Sequence, residues 1–168
     1  MQEIGPNVVF GAEVGVAFGG MSLALLQTMP SLSLLGVDPY VPYDDEDAMS
    51  LPTDYMDAMC EWTTRRVSAA HPGRWRLTRR PSLEAAASVP DGWLDFVFLD
   101  GDHRYDAITA DIRAWVPKVR KGGLICGHDF TSGWPGVIQA VQEAAATLDG
   151  FTQLRVDPKS SCWLARHG

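Results

Sequence analysis

Two short stretches hold the side chains best suited to chemistry: D-G-D-H-R-Y at residues 100–105 and G-H-D-F at residues 127–130. Asp100 and Asp129, if brought to one point, repel each other and raise one another's pKa unless a cation lies between them. His103 adds an imidazole whose ordinary pKa of about 6.5 suits proton transfer near neutrality. Two carboxylates with one or two imidazoles, His103 and His128, are the side chains of a candidate active-site edge.

The elements around these stretches say how they could meet. Leu94, Phe96, Val97, Phe98 and Leu99 form a short apolar run after Pro90, Asp91 and Gly92, the pattern of a strand buried on both faces. Asp100, Asp102 and His103 then fall at its carboxyl end, where open parallel sheets bind ligands. Asp102 is also expected to cap the helix that follows. A second run, Leu124-Ile125-Cys126, follows a turn at Lys121-Gly122-Gly123 and delivers His128 and Asp129 in the same way.

Upstream, an apolar segment from Val8 to Val14 breaks at Gly15. Gly19 and Gly20 then precede a nearly wholly apolar helical stretch at residues 21–29. A strand, a glycine turn and a helix amino terminus let a ligand approach backbone N–H groups closely. The run E-V-G-V-A-F-G-G is not G-x-G-x-x-G, and there is no G-K-[ST]. A second strand at residues 32–37 ends in Asp38, roughly 20 residues beyond Gly15, the offset at which a carboxylate reaches a ribose diol in nucleotide-binding folds. Together they point to an adenosine-bearing ligand.

The remaining segments complete a regular alternation. Residues 40–53, with three prolines at or beside them and the acidic run 44–47, form a loop that can wall a site. A helix at residues 54–70 carries Met56, Met59, Thr63, Val67 and Ala70 as a core stripe. A strand at residues 75–78 and a short helix at residues 82–88, with Ser82 as its expected cap, come next. Beyond the central strand, Ile108, Ile112, Trp115 and Val116 share one helix face, leaving Arg104, Asp106, Asp111 and Arg113 on the other. A last helix bears Val137, Val141, Ala144 and Leu148, and residues 151–156 and 161–165 read as an antiparallel hairpin. Five β–α units and a closing hairpin predict an α/β fold: one doubly wound, Rossmann-like sheet, mostly parallel, in a single domain over residues 1–168. That winding sets the glycine turn, Asp38 and Asp100 along one crevice.

Composition narrows the function classes. Against 14 basic side chains stand 21 acidic ones, a formal net charge of -7 that disfavours nucleic acid as a partner. No apolar run has the length of about 18 residues that a membrane span needs. The first residues lack the basic then apolar pattern of a secretory signal, so a cytoplasmic location is expected. Cys60, Cys126 and Cys162 are far apart and read as core thiols.

Taken together, E-V-G-V-A-F-G-G, G-V-D-P-Y at residues 36–40, F-L-D-G-D-H-R-Y at 98–105 and K-G-G-L-I-C-G-H-D-F at 121–130 resemble the class I S-adenosylmethionine-dependent methyltransferases. The resemblance extends to the small-molecule O-methyltransferases of the macrolide-sugar and aminocoumarin-sugar type. It implies that Gly15 and Gly19 hold the methionine part of the cofactor, with Glu13 supporting the turn. Asp38 would hold the ribose and Ser82 flank the adenine, although Arg79-Arg80-Pro81 stands where an acidic residue is common. Asp100 would serve both the cofactor side of the crevice and a divalent metal such as Mg2+, whose other ligands would be His128 and Asp129. His103 would be the catalytic base, and the acceptor a hydroxyl-bearing small molecule. With only about seven residues before the first strand, the acceptor's cover is expected from residues 40–53, from 131–136 with Trp134, or from the neighbouring subunit of a homo-oligomer. Two alternatives stand beside this reading: an S-adenosylmethionine-binding sensor or subunit without catalysis, and a nicotinamide-dependent oxidoreductase, which the missing G-x-G-x-x-G and the closing hairpin disfavour.

Overall fold

Leu94, Phe96, Val97, Phe98 and Leu99 are all buried in the structure, and the strand they form is central to the sheet. The computed structural model describes residues 10–42 and 51–168. Its strands are β1 (Phe10–Val14), β2 (Ser33–Val37), β3 (Trp75–Thr78), β4 (Leu94–Leu99), β5 (Val119–Gly127), β6 (Phe151–Asp157) and β7 (Cys162–His167). The helices are α1 (Gly20–Thr28), α2 (Thr53–Ala70), α3 (Ser82–Ala87), α4 (Tyr105–Trp115) and α5 (Pro135–Thr147). One sheet takes the order β3-β2-β1-β4-β5-β7-β6, parallel from β3 to β5 and antiparallel in the β5, β7 and β6 pairings. The expected doubly wound α/β sheet with a closing hairpin is therefore present.

The sheet divides the core because side chains alternate along each strand. Ala12, Val14, Val97, Leu99 and Ile125 pack with Ile108, Ile112 and Trp115 of α4 and Val137 and Val141 of α5. Phe96, Phe98 and Leu124 point the other way, against Leu25 and Leu26 of α1 and Val67 of α2. Each buried Val, Leu, Ile or Phe among them contributes about 1.5–3 kcal/mol of transfer free energy. Strands β2 and β4 flank β1 on opposite sides, so the chain reverses its winding there and opens a crevice at the strands' carboxyl ends.

Several local expectations are corrected. Asp102 is not the cap of α4: Arg104 occupies that position, and Asp102 instead accepts the Arg104 backbone N–H at 2.9 Å in a tight turn before the helix. Ser82 is the first residue of α3 after Pro81 and makes no cap bond, because its hydroxyl is turned to Trp115 Nε1 at 2.9 Å. Residues 121–123 do not precede β5 but lie inside it. Gly122 takes a φ of 77°, the pairing with β4 shifts register between Leu94 and Phe96, and the ladder resumes beyond. Asp111, assigned from the pattern to a polar helix face, is buried, at 6% exposure. Val8, Val9 and most of the loop over residues 40–53 lie outside the described residues. Among the described residues no helix is long and apolar enough to cross a membrane.

Candidate active site

Glycine at position 15 is dictated by contact between two strand ends. Its φ is 86°, and a Cβ there would stand 2.0 Å from the Asp100 backbone oxygen. The Asp100 N–H donates to Val14 O at 2.8 Å, which locks the chain leaving β4 against the chain leaving β1. Gly19, at the start of α1 with a φ of 69°, leaves room for the Thr63 and Val67 side chains of α2.

Between these glycines the loop is held mainly by Asp38. Its Oδ2 accepts the N–H groups of Val16 and Ala17, both at 3.0 Å, and its Oδ1 accepts Tyr40 N–H at 2.8 Å. Ala17 sits in the left-handed region, with a φ of 45°, a conformation that persists only where neighbours over-determine it. Here the Tyr40 hydroxyl donates to Ala17 O at 2.7 Å and the Thr63 hydroxyl at 2.9 Å. Burial, and then the Asp38 carboxylate, push the Tyr40 phenol above its ordinary range, so it stays a donor.

Glu13 lies behind this turn, 1% exposed, and its carboxyl faces α1. The Ser22 hydroxyl donates to it, and Trp75 Nε1 donates to Ser22 at 3.2 Å. Burial pushes the Glu13 carboxyl up to about 8, against the pull of the Ser22 bond. At neutral pH it is therefore a neutral strut beneath the loop, and the sheet interior is spared a charge.

A cleft of about 510 Å3 opens in front of the turn, lined by Gly15, Asp38, Ser82, Gly101, Asp102 and Asp111 among others. Of the expected cofactor residues, Gly15, Asp38 and Ser82 meet in this cleft. Glu13, Gly19 and Asp100 do not line it: the first two shape the loop and α1, and Asp100 belongs to a neighbouring cluster.

That cluster joins the two reactive stretches. One ligand atom each from Asp100, His103 and Asp129 lies within 4.8 Å of the others. His103 Nε2 is 2.8 Å from Asp129 Oδ2 and 3.7 Å from Asp100 Oδ1, yet it is buried without an aligned hydrogen bond among the described residues. A buried nitrogen between carboxylate oxygens, all turned to one point, fits a divalent cation of mixed oxygen and nitrogen preference. His128 stands at the rim, its Nδ1 3.2 Å from Asp129 Oδ1 and 3.9 Å from Asp100 Oδ1. The structure thus places His103 deeper among the carboxylates than His128.

The cluster is braced from outside. Trp134 stacks on the His103 ring at a centroid distance of 4.5 Å. Gly136 lets α5 start against the His103 loop, since a Cβ there would lie 2.9 Å from His103 O and 2.8 Å from Tyr105 N. Asp129 itself has a φ of 59°, backbone strain of the kind found at ligand clamps. Burial pulls the His103 imidazole down, but Asp100 and Asp129 outweigh it and hold the pKa above its ordinary value. Asp102 is not one of the cluster's three residues and is paired with the Arg104 guanidinium through Nε and Nη2. Burial raises its pKa, but the Arg104 bonds outweigh that and leave it below the usual value.

Ser22 and Trp75 were given no site role from the sequence, Thr63 was read only as part of a core stripe, and Asp111 only as part of a polar helix face. Asp111 was legible, because it lies three residues after Ile108 and four before Trp115, on the core stripe itself. Ser22 and Trp75 had no comparable signal, since their link to Glu13 depends on how α1 and β3 pack.

Comparisons with known proteins bear on what this site handles. A family model for a methyltransferase domain matches residues 12–130. An uncharacterized protein of Acanthamoeba polyphaga mimivirus is 26% identical over 140 residues, covering 81% of this chain and 59% of its own length. An uncharacterized protein of Sinorhizobium fredii is 33% identical over 54 residues, 32% of this chain and 6% of its own. The chain thus spans less than two thirds of the curated relatives it matches. Among solved structures, a putative caffeoyl-CoA O-methyltransferase from Staphylococcus aureus superposes with a TM-score of 0.70 at 14% identity, over 97% of this chain and 78% of that one. The TDP-rhamnose 3'-O-methyltransferase of calicheamicin biosynthesis gives 0.64 at 19% identity, over 99% and 75%. The MycE methyltransferase of the mycinamycin pathway, in complex with Mg, SAH and mycinamycin VI, gives 0.64 at 18% identity, over 96% and 45%. These three likenesses carry the fold, and the family match extends through the glycine turn, Asp38, the Asp100–His103 stretch and Asp129. The chain belongs to the methyltransferase-domain family of class I, and its cofactor is S-adenosylmethionine.

Proposed function

We propose that this protein transfers the methyl group of S-adenosylmethionine to a hydroxyl oxygen of a small molecule with the help of a divalent ion, all 168 residues working as one domain. The observation that carries the reading is the convergence of Asp100, His103 and Asp129 at the carboxyl ends of β4 and β5, beside the cleft at the glycine turn. Asp100 and Asp129 hold the ion, and His128 at the rim completes its ligands. When bound, the ion supplies positive charge that makes a hydroxyl easier to ionise. Gly15, Asp38 and Ser82 receive the adenosine part, and Gly15 and Gly19 shape the turn that receives the methionine part.

The chemistry asked of the side chains is then small. S-adenosylmethionine, when bound, would supply the sulfonium methyl that passes to the acceptor oxygen, leaving S-adenosylhomocysteine as the other product. His103 Nε2 takes the hydroxyl proton, and Trp134 fixes the plane of the ring that receives it. Positioning the two reactants supplies most of the rate, as it does where a reaction needs orientation more than acid–base power. A second reading, favoured by the position of Nε2 between the carboxylates, makes His103 an ion ligand instead.

Calorimetry with S-adenosylmethionine and with Mg2+ or Mn2+, followed by a hydroxyl-acceptor screen that detects S-adenosylhomocysteine, tests the proposal. Cofactor binding with ion-dependent turnover that stops on chelation is expected. Turnover unchanged by chelation overturns the ion's role, and cofactor binding without turnover on any acceptor favours a sensor or subunit.

A further inference from the structure

The methyl-transfer scheme makes no use of Asp111, the most deeply buried acid of the adenosine cleft. The side chain reaches the cleft from α4 and is 6% exposed. Trp115 Nε1, fully buried, donates to Ser82 Oγ at 2.9 Å, so the single Ser82 proton is free to point onward, and the Ser82 hydroxyl is near enough to Asp111 to pull its pKa down. This chain of donors ends on an acceptor. A carboxylate has about four acceptor positions, and the one Ser82 proton can fill at most one of them. On the side of Oδ2 stands Gly101, which has no side chain to cover it: a Cβ there would lie 3.8 Å away.

A buried acceptor with unused capacity is costly unless a donor arrives. Burial pushes the Asp111 pKa up to about 6, Ser82 pulling it down and Asp102 adding to the rise, so near neutrality the group is a carboxylate with acceptor capacity beyond one hydroxyl proton. The other acids of the cleft are otherwise engaged or lie shallower. Asp38 on the β2 side holds the loop N–H groups, Asp102 after β4 is paired with Arg104, and Glu84 of α3 is exposed. A cleft so rich in acceptors suits a ligand edge that carries hydrogen-bond donors.

We propose that Asp111, oriented by Ser82 and Trp115, is the residue that reads the purine of the cofactor, accepting a hydrogen bond from its exocyclic amino group and so selecting adenine over a 6-oxopurine. The assignment rests on the methyltransferase reading of this cleft and adds base selection to it. A purely structural Ser82–Asp111 tie between α3 and α4 affects stability but is indifferent to the purine.

Calorimetry of S-adenosylhomocysteine against its inosine counterpart, in which oxygen replaces the amino group, decides between them. The wild-type protein is expected to bind the adenine form tighter by about tenfold or more, the range for a hydrogen bond to a charged acceptor. Asp111→Asn is expected to abolish or invert that preference, because a carboxamide N–H can meet the purine oxygen, and Asp111→Ala to weaken adenine binding until the two ligands are equal. Melting curves of each variant check the fold. Equal affinity of the wild type for both ligands overturns the proposal without any variant, as does a preference that persists undiminished in both. If the wild type binds neither ligand, the cofactor reading fails and the base-selection proposal fails with it.

Discussion

Asp129 Oδ2 lies 2.8 Å from His103 Nε2, which ties the loop after β5 to the loop after β4 at the deepest point of the reactive cluster. Both residues are reached by short excursions from adjacent parallel strands, paired in register from Phe96 with Leu124 to Leu99 with Gly127. The sheet therefore fixes the meeting of the two stretches before any side chain is considered.

His103→Ala is expected to lower turnover by about 10²–10⁴-fold, the usual contribution of a positioned acid–base group, with S-adenosylmethionine affinity changed little. The same variant separates the two roles of the imidazole. Unchanged divalent-ion affinity in calorimetry marks His103 as the base, and a loss comparable to that of Asp100→Asn marks it as a ligand.

Asp100→Asn and Asp129→Asn each remove a charged oxygen donor from the cluster, and the double variant is expected to show no divalent-ion binding at millimolar metal. Melting temperature measured with and without Mg2+ provides a second check. The wild-type protein should gain stability from the ion by mass action, and the double variant should not.

Glu13 gives the stability a slope with pH. Its folded pKa of about 8 lies above the ordinary value, so the stabilisation from its neutral form is complete below pH 4.5 and is lost progressively as pH rises through 8. Thermal unfolding across pH 5–9 should show this decline. In Glu13→Gln the Ser22 hydroxyl keeps an acceptor and the decline should flatten, leaving the variant more stable than the wild type at pH 9 by at least about 1.4 kcal/mol, the equivalent of one pKa unit.

Gly15→Ala should be among the most disruptive single-methyl changes in the chain. The new Cβ would meet the Asp100 carbonyl at 2.0 Å, and the φ of 86° adds left-handed strain of about 1–2 kcal/mol. Loss of cofactor affinity with lowered melting temperature is expected. Gly73→Ala, at a comparable φ of 73° but with open space around it, should cost the backbone strain alone.

Much of this arrangement was legible in the chain. Strand β3 was bounded residue for residue at Trp75–Thr78, and the run from Leu94 to Leu99 could be read because continuous apolar residues between turn signals leave few alternatives. Asp38, Gly15 and the Asp100–His103 stretch were found by their places at strand ends. Lys121-Gly122-Gly123 misled because glycine pairs signal turns and bulges alike, and the difference lies in the partner strand. Asp102 and Ser82 are good capping types, yet each found a stronger partner, Arg104 in one case and Trp115 in the other. The relative depth of His103 and His128 depends on two loops that no periodicity describes.

The hold of Asp38 on Val16, Ala17 and Tyr40 sets up a competition. On the proposed reading, a ribose hydroxyl reaching this carboxylate would meet an Oδ2 already saturated by two amides and an Oδ1 with a single lone pair to spare. Cofactor entry and loop order would then contend for the same two oxygens. Tyr40 grips Ala17 O from the far side of the turn, so the stiffness of this loop rests on the phenol as well as on the carboxylate.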